Sequence, residues 1–389
     1  MAGIIGFESP SSTRLVFGNG VVDSVGEQTK ALGGSRALLV TDPGIVQAGH
    51  ADRVQKSLLD SGIAVSVYDQ VHENPTTQDV AQCVAAARDG EIDFLIGLGG
   101  GSSMDTAKGC NFILTNGGEM KDYWGVGKAV KPMLPLIAIP TTAGTGSECQ
   151  SFALIADSAT HQKMACGDVK AAARIALLDP ELTISQPRRV TACTGVDAIA
   201  HAVEAAVTKK RTPISRIYSL EAFRLMVEAF PRVLADGNDL DARGAMLLGA
   251  ALAGVAIENS MLGAAHSAAN PLTAHFGVIH GQAVGVMLPH VVAFNAVDRD
   301  AKKIYAEMAG IGGLVESWSD QEGAVESLVT YLSQTLVAAD LPATLGAWEV
   351  SAEKIPSLAE EAAKQWTAGF NPRSITAADF ETLYTAALA

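Results

Sequence analysis

Short β-rich runs alternate with helical stretches through the first half of this 389-residue chain, and that alternation restricts the fold more than any other feature. After an opening STRLVFGNG, read as a strand and turn, the runs ALLVTD (37–42), AVSVYD (64–69), DFLIGLGGG (93–101) and PLIAIPTT (135–142) read as strands. Between them lie a helical stretch near 44–61, a helix opened by NPTTQDV with a Thr cap and an early Pro, and a helix in SMDTAKGCNFILTNGG that stops at Asn-Gly-Gly. Strands spaced by helices of about 10–15 residues form βαβ units, and such units form a parallel sheet. FALIAD and KMACGD, separated by the polar SATHQ, read as an antiparallel pair ahead of ARIALLDP.

The texture changes near Pro187. Ala-rich segments with Leu and Met at a 3.6-residue period run from there to the end, strand signals become rare, and no tandem repeat or low-complexity tract interrupts them. The expected division is an α/β domain over 1–187 and an all-helical domain over 188–389, which suits a chain this long for one core. The space between two such halves is a natural place for a ligand. Hydrophobic residues make up 48% of the chain, ample for buried interiors, and 42 acidic against 28 basic residues leave a net charge of −14. That balance argues against nucleic acid or an anionic membrane as a partner, while an anionic substrate can still meet a local cationic pocket. Cys83, Cys110, Cys149, Cys166 and Cys193 are odd in number, scattered and without a C-x-x-C, as for reduced thiols in a cytoplasmic protein. MAGIIGFESPSS has no basic leader region, and no apolar run reaches the length of a membrane span.

GLGGGSSMD follows a strand and opens a helix, the setting in which backbone N–H groups without intrahelical partners and the helix dipole attract phosphate. Gly99, Gly100 and Gly101 exceed what a tight turn needs, and their lack of side chains lets a phosphate approach. The string departs from G-x-G-x-x-G, because Ser102 stands where the last Gly would be, and it is not a Walker A loop. Asp42, ending an earlier strand, is placed to accept from a ribose 2′-OH, which would favour NAD over NADP; it is equally placed to cap the helix that begins just after it. PTTAGTGSE (140–148) offers hydroxyls and glycines that could close over a nicotinamide ribose or a diphosphate, and alone would pass for an ordinary loop. Lys163 could reach a ribose or phosphate from the hairpin, although most lone lysines are simply solvated.

The helical half carries a second constellation. Asp197 and His201 lie four apart in GVDAIAHAVEAAVTKK, on one helix face, and His266 and His280 follow in LGAAHSAANPLTAHFGVIHG. One carboxylate and three imidazoles make a donor set for a divalent transition metal. Taken alone, a D-x-x-x-H is more often a solvated or mutually hydrogen-bonded pair.

Together GGGSSMDTAKG, PTTAGTGSE, DAIAH, the H-x13-H pair with GQAVGVMLPHVVAFN, and the C-terminal FNPRSITAADFETLYTAA resemble the iron-containing alcohol dehydrogenase family. The resemblance covers nearly the whole chain. It implies an N-terminal α/β dinucleotide-binding domain and an all-α C-terminal domain, like dehydroquinate synthase. It also implies metal ligands at Asp197, His201, His266 and His280, with Fe(II) or Zn(II) equally suited. Cofactor contacts map onto Asp42, Asn74, Gly99, Gly100, Gly101, Ser102, Asp105, Thr141, Thr142, Thr145, Ser147 and Lys163. The implied reaction is hydride transfer between NAD, rather than NADP, and a small alcohol or aldehyde, in a homodimer or larger homo-oligomer whose N-terminal strand is a candidate for pairing between subunits.

Two positions depart from the family pattern. The family commonly has a second histidine four residues after the third ligand, where Asn270 stands here, and a Pro before the last ligand, where Ile279 stands. Asn does not titrate, so a proton relay there would be lost. His275, five residues on, either compensates or is an ordinary neighbouring or surface histidine, leaving Asn270 and His275 as the catalytic candidates. Two other functions stay open: reduction of an acidic carbonyl, as by maleylacetate reductases or phosphonate- and hydroxyacid-forming relatives, and a nucleotide-binding regulator without turnover. The first calls for a cationic pocket. Retention of four ligands weighs against the second.

Overall fold

A computed structural model describes residues 13–160 and 162–388; MAGIIGFESPSS therefore lies outside the described residues. The chain divides into two compact units, one ending at Gln186 and the other beginning at Pro187.

The first unit contains β1 (Arg14–Phe17), α1 (Val25–Ala31), β2 (Arg36–Val40), α2 (Pro43–Gln47), α3 (His50–Asp60), β3 (Ala64–Tyr68), α4 (Thr77–Asp89), β4 (Phe94–Gly99) and α5 (Gly101–Asn116). It continues with β5 (Gly125–Val126), β6 (Leu136–Pro140), β7 (Phe152–Ala156), β8 (Lys163–Gly167) and β9 (Ile175–Leu178). Six strands form an all-parallel sheet in the order β1-β9-β6-β4-β2-β3. Every residue of β4 and β6 is buried, as the continuous apolar runs of a sheet covered on both faces require. The side chains of β2, β4 and β6 alternate between two cores: Leu39, Phe94, Ile96 and Ile137 join one, and Leu38, Val40, Leu95 and Leu136 the other.

From β2 the chain moves outward to β3, and from β4 it moves the opposite way to β6. The topological switch point thus falls between the carboxyl ends of β2 and β4, where open parallel sheets bind their ligands. Asp42 lies two residues past the end of β2, and the glycines 99–101 close β4 and open α5.

Several local features differ from the sequence reading. The stretch near 44–61 is two helices, broken at Gly49, whose φ of 79° ends α2 and starts α3. Thr76 caps α4 in a reciprocal pair with Asp79, but Pro75 stands before the cap and not in the first turn. ARIALLDP contributes β9, which inserts between β1 and β6. The antiparallel pair β7–β8 forms as expected, and β5 adds to it in parallel.

The second unit is helical: α6 (Arg188–Val207), α7 (Pro213–Ala235), α8 (Leu240–Glu258), α9 (Ala264–Phe276), α10 (His280–Asn295), α11 (Arg299–Ile311), α12 (Gln321–Ala338), α13 (Ile355–Lys364) and α14 (Ala377–Ala386). Against the expectation of no span-length apolar run, α6 and α8 are long and apolar enough by length and composition to cross a membrane. Both are mostly buried within the protein, which explains their hydropathy.

Helix α10 packs against α6 through a seam of small residues. A Cβ on Gly281 would stand 2.1 Å from the Cys193 carbonyl oxygen and 3.3 Å from Asp197 Cβ, and one on Gly285 would stand 2.5 Å from Val196. That approach brings the first residue of α10, His280, beside Asp197. Gly281→Ala should therefore force the two helices apart and lower stability by about 1–3 kcal/mol, read from the urea midpoint. An unchanged midpoint would show that the seam yields without cost.

Candidate functional site

Helix α6 carries Asp197, His201 and Glu204 at spacings of four and three, so all three side chains share one face. They are 6%, 5% and 3% exposed. His266, 4% exposed, is the third residue of α9, and the partly exposed His280 opens α10. His201 Nε2 lies 3.6 Å from Asp197 Oδ2, His266 Nε2 lies 3.4 Å from Asp197 Oδ1, and His280 Nε2 lies 3.9 Å from the same Oδ1. The His201 and His266 rings stack with centroids 4.9 Å apart. One donor atom from each of Asp197, His201 and His266 falls within 4.8 Å of the others, and His280 stands further out.

These separations suit a metal. Two donors about 2.1 Å from a tetrahedral ion sit about 3.4 Å apart. Asp197 Oδ1 and His266 Nε2 are both buried, and neither has a hydrogen-bond partner. Buried polar atoms are nearly always satisfied, so two orphans facing one point mark a place for a cation.

Electrostatics agree. Burial alone would raise the Asp197 carboxyl, but the surrounding imidazoles, His201 foremost, hold it well below the usual carboxylate range. Burial would lower His266, yet Glu204 and Asp197 raise it to about 9. The carboxylates and imidazoles of the cluster thus compensate one another. Glu204, which the sequence reading missed, packs one carboxylate oxygen against His266 Nδ1 and accepts from the Ala265 N–H with the other at 2.7 Å. Its signal was available: an acid seven residues after Asp197, on the same helix face as Asp197 and His201.

In the α/β unit, Gly99, Gly100 and Gly101 form the turn between β4 and α5. Asp42 caps α2 through Oδ1, accepting from the Ile45 N–H at 3.1 Å, while a Cβ on Gly99 would stand 3.3 Å from its Oδ2. Capping and proximity to the turn thus coexist in one side chain. Thr142 faces Gly100, and Thr145 lies so near Gly101 that a Cβ there would come within 2.8 Å of it. Thr141 donates its backbone N–H to the Gly99 carbonyl at 3.0 Å. Ser102 is partly exposed at the start of α5. Asn74 is exposed at φ 55°, and Lys163 is exposed on β8, paired with Ala156.

Asp105 and Ser147 turn inward instead. Ser147 Oγ donates to Asp105 Oδ1 at 2.7 Å, and the Leu154 N–H reaches Asp105 Oδ2 at 3.3 Å. The fully buried Lys108 ammonium donates to Ser147 O, Ser147 Oγ and Phe152 O at 2.6, 2.9 and 3.0 Å. This closed network ties α5 to the loop that carries Thr145, so Asp105 and Ser147 support the turn from beneath.

Of the catalytic candidates, Asn270 is partly buried one turn beyond His266 and donates to Gln365 Oε1 at 3.1 Å. His275 is an exposed residue paired with Glu361 at 2.8 Å. Nine residues separate it from His266 along α9, about 13 Å of helix, which keeps it out of the cluster.

A parallel α/β unit followed by an all-helical unit with a buried Asp–His centre is the dehydroquinate synthase-like arrangement of the metal-dependent dehydrogenases. Residues 12–180 match the family model described as iron-containing alcohol dehydrogenase, and residues 191–388 match that of the C-terminal part of the Fe-containing alcohol dehydrogenase family. The chain belongs to this family. It is 35% identical to the NAD-dependent methanol dehydrogenase of Bacillus methanolicus, over 96% of this chain and 97% of that one. The crystal structure of a 1,3-propanediol oxidoreductase superposes with a TM-score of 0.95 at 30% identity, covering 99% of this chain and all of that one. An alcohol dehydrogenase from Oenococcus oeni superposes at 0.94, also at 30% identity, covering 98% of this chain and all of that one.

Beside the Lys108 network, Glu148 is 1% exposed and its Oε1 has no hydrogen-bond partner. Burial pushes its carboxyl up to about 7 from the ordinary 4.5, with Lys108 opposing. The fold therefore favours protonated Glu148: stability it contributes below pH 4.5 is lost as pH rises through 7. Glu148→Gln removes that dependence and should gain on the native protein between pH 5 and pH 8, by up to roughly 3 kcal/mol. Equal differences in unfolding midpoint at the two pH values would contradict it.

Proposed function

We propose that Asp197, His201, His266 and His280 hold Fe(II), with Zn(II) accepted by the same donors, and that the chain interconverts a small alcohol and its aldehyde using NAD. The observation that carries this reading is the pair of orphaned buried donors, Asp197 Oδ1 and His266 Nε2, facing one point with His201. The family's description as iron-containing and the NAD dependence of the Bacillus methanolicus relative support the choice of metal and cofactor. When bound, the metal supplies Lewis acidity to the alcohol oxygen.

The rest belongs to the chain's own side chains. Asp197 offsets the positive charge, and neutral imidazoles complete the donor set. At the start of α5, the backbone N–H groups of Gly101 and Ser102 receive the diphosphate, with Thr142 and Thr145 alongside. Asp42 Oδ2 accepts from the ribose 2′-OH and repels a 2′-phosphate, while Asn74, Thr141 and Lys163 lie further along the same cofactor. Asp105 and Ser147 act through the loop they brace. Asn270 stays uncharged at every working pH, so this enzyme works without the ionisation a histidine there would bring.

A homo-oligomer belongs to the same reading, since among the described residues β1 pairs on one side only. A reducing, cytoplasmic setting is supported by five buried cysteines, none bridged.

Loaded anaerobically with Fe(II), the protein should oxidise NADH with short aldehydes, and Asp197→Ala or His266→Ala should lower kcat/KM by more than about 100-fold. Turnover confined to acidic aldehydes would transfer the reading to the acidic-carbonyl alternative, and none with any aldehyde would defeat it. NAD should be preferred to NADP, and Asp42→Gly should narrow the gap; equal use of both by the native protein would reduce Asp42 to a helix cap. Gly101→Val should weaken NADH binding by at least about tenfold, because its Cβ displaces Thr145 and blocks backbone approach.

A further inference from the structure

We infer that Glu204 is a positioning residue for the metal centre: by accepting a hydrogen bond from His266 Nδ1, it leaves Nε2 as the nitrogen that binds the metal. The inference rests on the metal reading above and goes beyond it to a residue outside the donor set. Glu204 and His266 are 3% and 4% exposed, so neither borrows a partner from solvent. One carboxylate oxygen of Glu204 contacts Nδ1, and the other accepts from the Ala265 N–H at 2.7 Å. An ionised carboxylate only accepts, so the ring nitrogen facing it must carry the proton. In the neutral ring that a metal requires, the lone pair then sits on Nε2, which faces Asp197 Oδ1 at 3.4 Å.

The contacts also explain why the position carries an acid and not its amide. A Gln at 204 has one acceptor and one donor end. Pointing the acceptor at Ala265 aims its NH₂ at Nδ1; reversing it aims the NH₂ at the peptide N–H. Both arrangements bury two facing donors. The first is relieved only when the ring proton moves to Nε2, which removes the lone pair the metal needs. An isosteric substitution should therefore damage the centre through the tautomer of His266.

A competing account treats Glu204 as nothing more than a brace for the start of α9. Asn371 separates the two. Its Oδ1 lies 3.4 Å from the Ala264 N–H at the same helix end, and it exchanges hydrogen bonds with Asn295, all without touching the imidazole.

The test measures the affinity of the full-length protein for Zn(II) alone, by equilibrium competition with a chromophoric chelator. Glu204→Gln should weaken Zn(II) binding about 10- to 100-fold, while Asn371→Ala should lower the thermal midpoint and leave the affinity within about threefold. Native affinity in Glu204→Gln would overturn the inference, and so would an equal loss in Asn371→Ala, which would assign the effect to helix placement. A native protein that binds no Zn(II) would instead defeat the metal reading itself. Should Glu204→Gln fail to fold, the His266 side-chain ¹⁵N shifts of the Zn(II)-loaded native protein decide: a protonated Nδ1 with metal on Nε2 sustains the inference, and metal on Nδ1 overturns it.

Discussion

Desolvating the Asp197 and Glu204 carboxylates inside a helical bundle costs several kcal/mol per charge unless each is matched. Glu204 is matched by His266 and by the Ala265 N–H at the start of α9. Asp197 is surrounded by His201, His266 and His280, none closer than 3.4 Å. The placement of α9 and α10 against α6 follows from this demand. α9 must bring its third residue between the two acids, and α10 must approach closely enough for its first residue to reach Asp197, which the glycine at 281 allows. An ion at the centre would complete the compensation, so metal binding and the stability of this unit are linked.

The α/β unit solves a different problem, starting a helix on glycines at the end of a buried strand. The order of the sheet places the ends of β2 and β4 side by side at the switch point. β4 runs straight into glycines, so α5 carries no side chain of its own before Ser102. Such a turn is loose unless braced. The brace is the Lys108 ammonium, whose three acceptors, Ser147 O and Oγ and Phe152 O, fix the loop that holds Thr145 over Gly101.

Periodicity made both units legible, because continuous apolar runs of strand length between helices admit a parallel sheet and little else. What escaped were features that depend on tertiary partners: β9, whose short run is a strand only because β1 and β6 flank it, and the break at Gly49, which resembles any glycine within a helical pattern. At the site, the shared face of Asp197 and His201 was readable because their spacing is a local fact, whereas His266 and His280 were joined to them through the family resemblance. Glu204 escaped because its role appears only when α9 sets His266 against it. His275 was raised as compensation for the histidine missing at 270, but nearness in sequence carries no direction, and its side chain ends beside Glu361.

Among the described residues, the buried groups around Lys108 and those around Asp197 differ in how their polar atoms are met, the unpartnered Glu148 Oε1 beside Lys108 excepted. Around Lys108 the ammonium has three acceptors, Asp105 has a donor on each oxygen, and Ser147 Oγ both gives and receives. That network is complete in itself, which makes it a brace. Around Asp197 one carboxylate oxygen and one imidazole nitrogen are buried and orphaned, an arrangement that a low dielectric penalises heavily. A water could donate to the carboxylate oxygen, whereas a cation answers the carboxylate and an imidazole lone pair together. Burial and charge alone would have ranked the two clusters as equals. What sets the Asp197 group apart is convergence: its donor atoms gather within 4.8 Å of one another, and a carboxylate with imidazoles is the donor chemistry of a metal site.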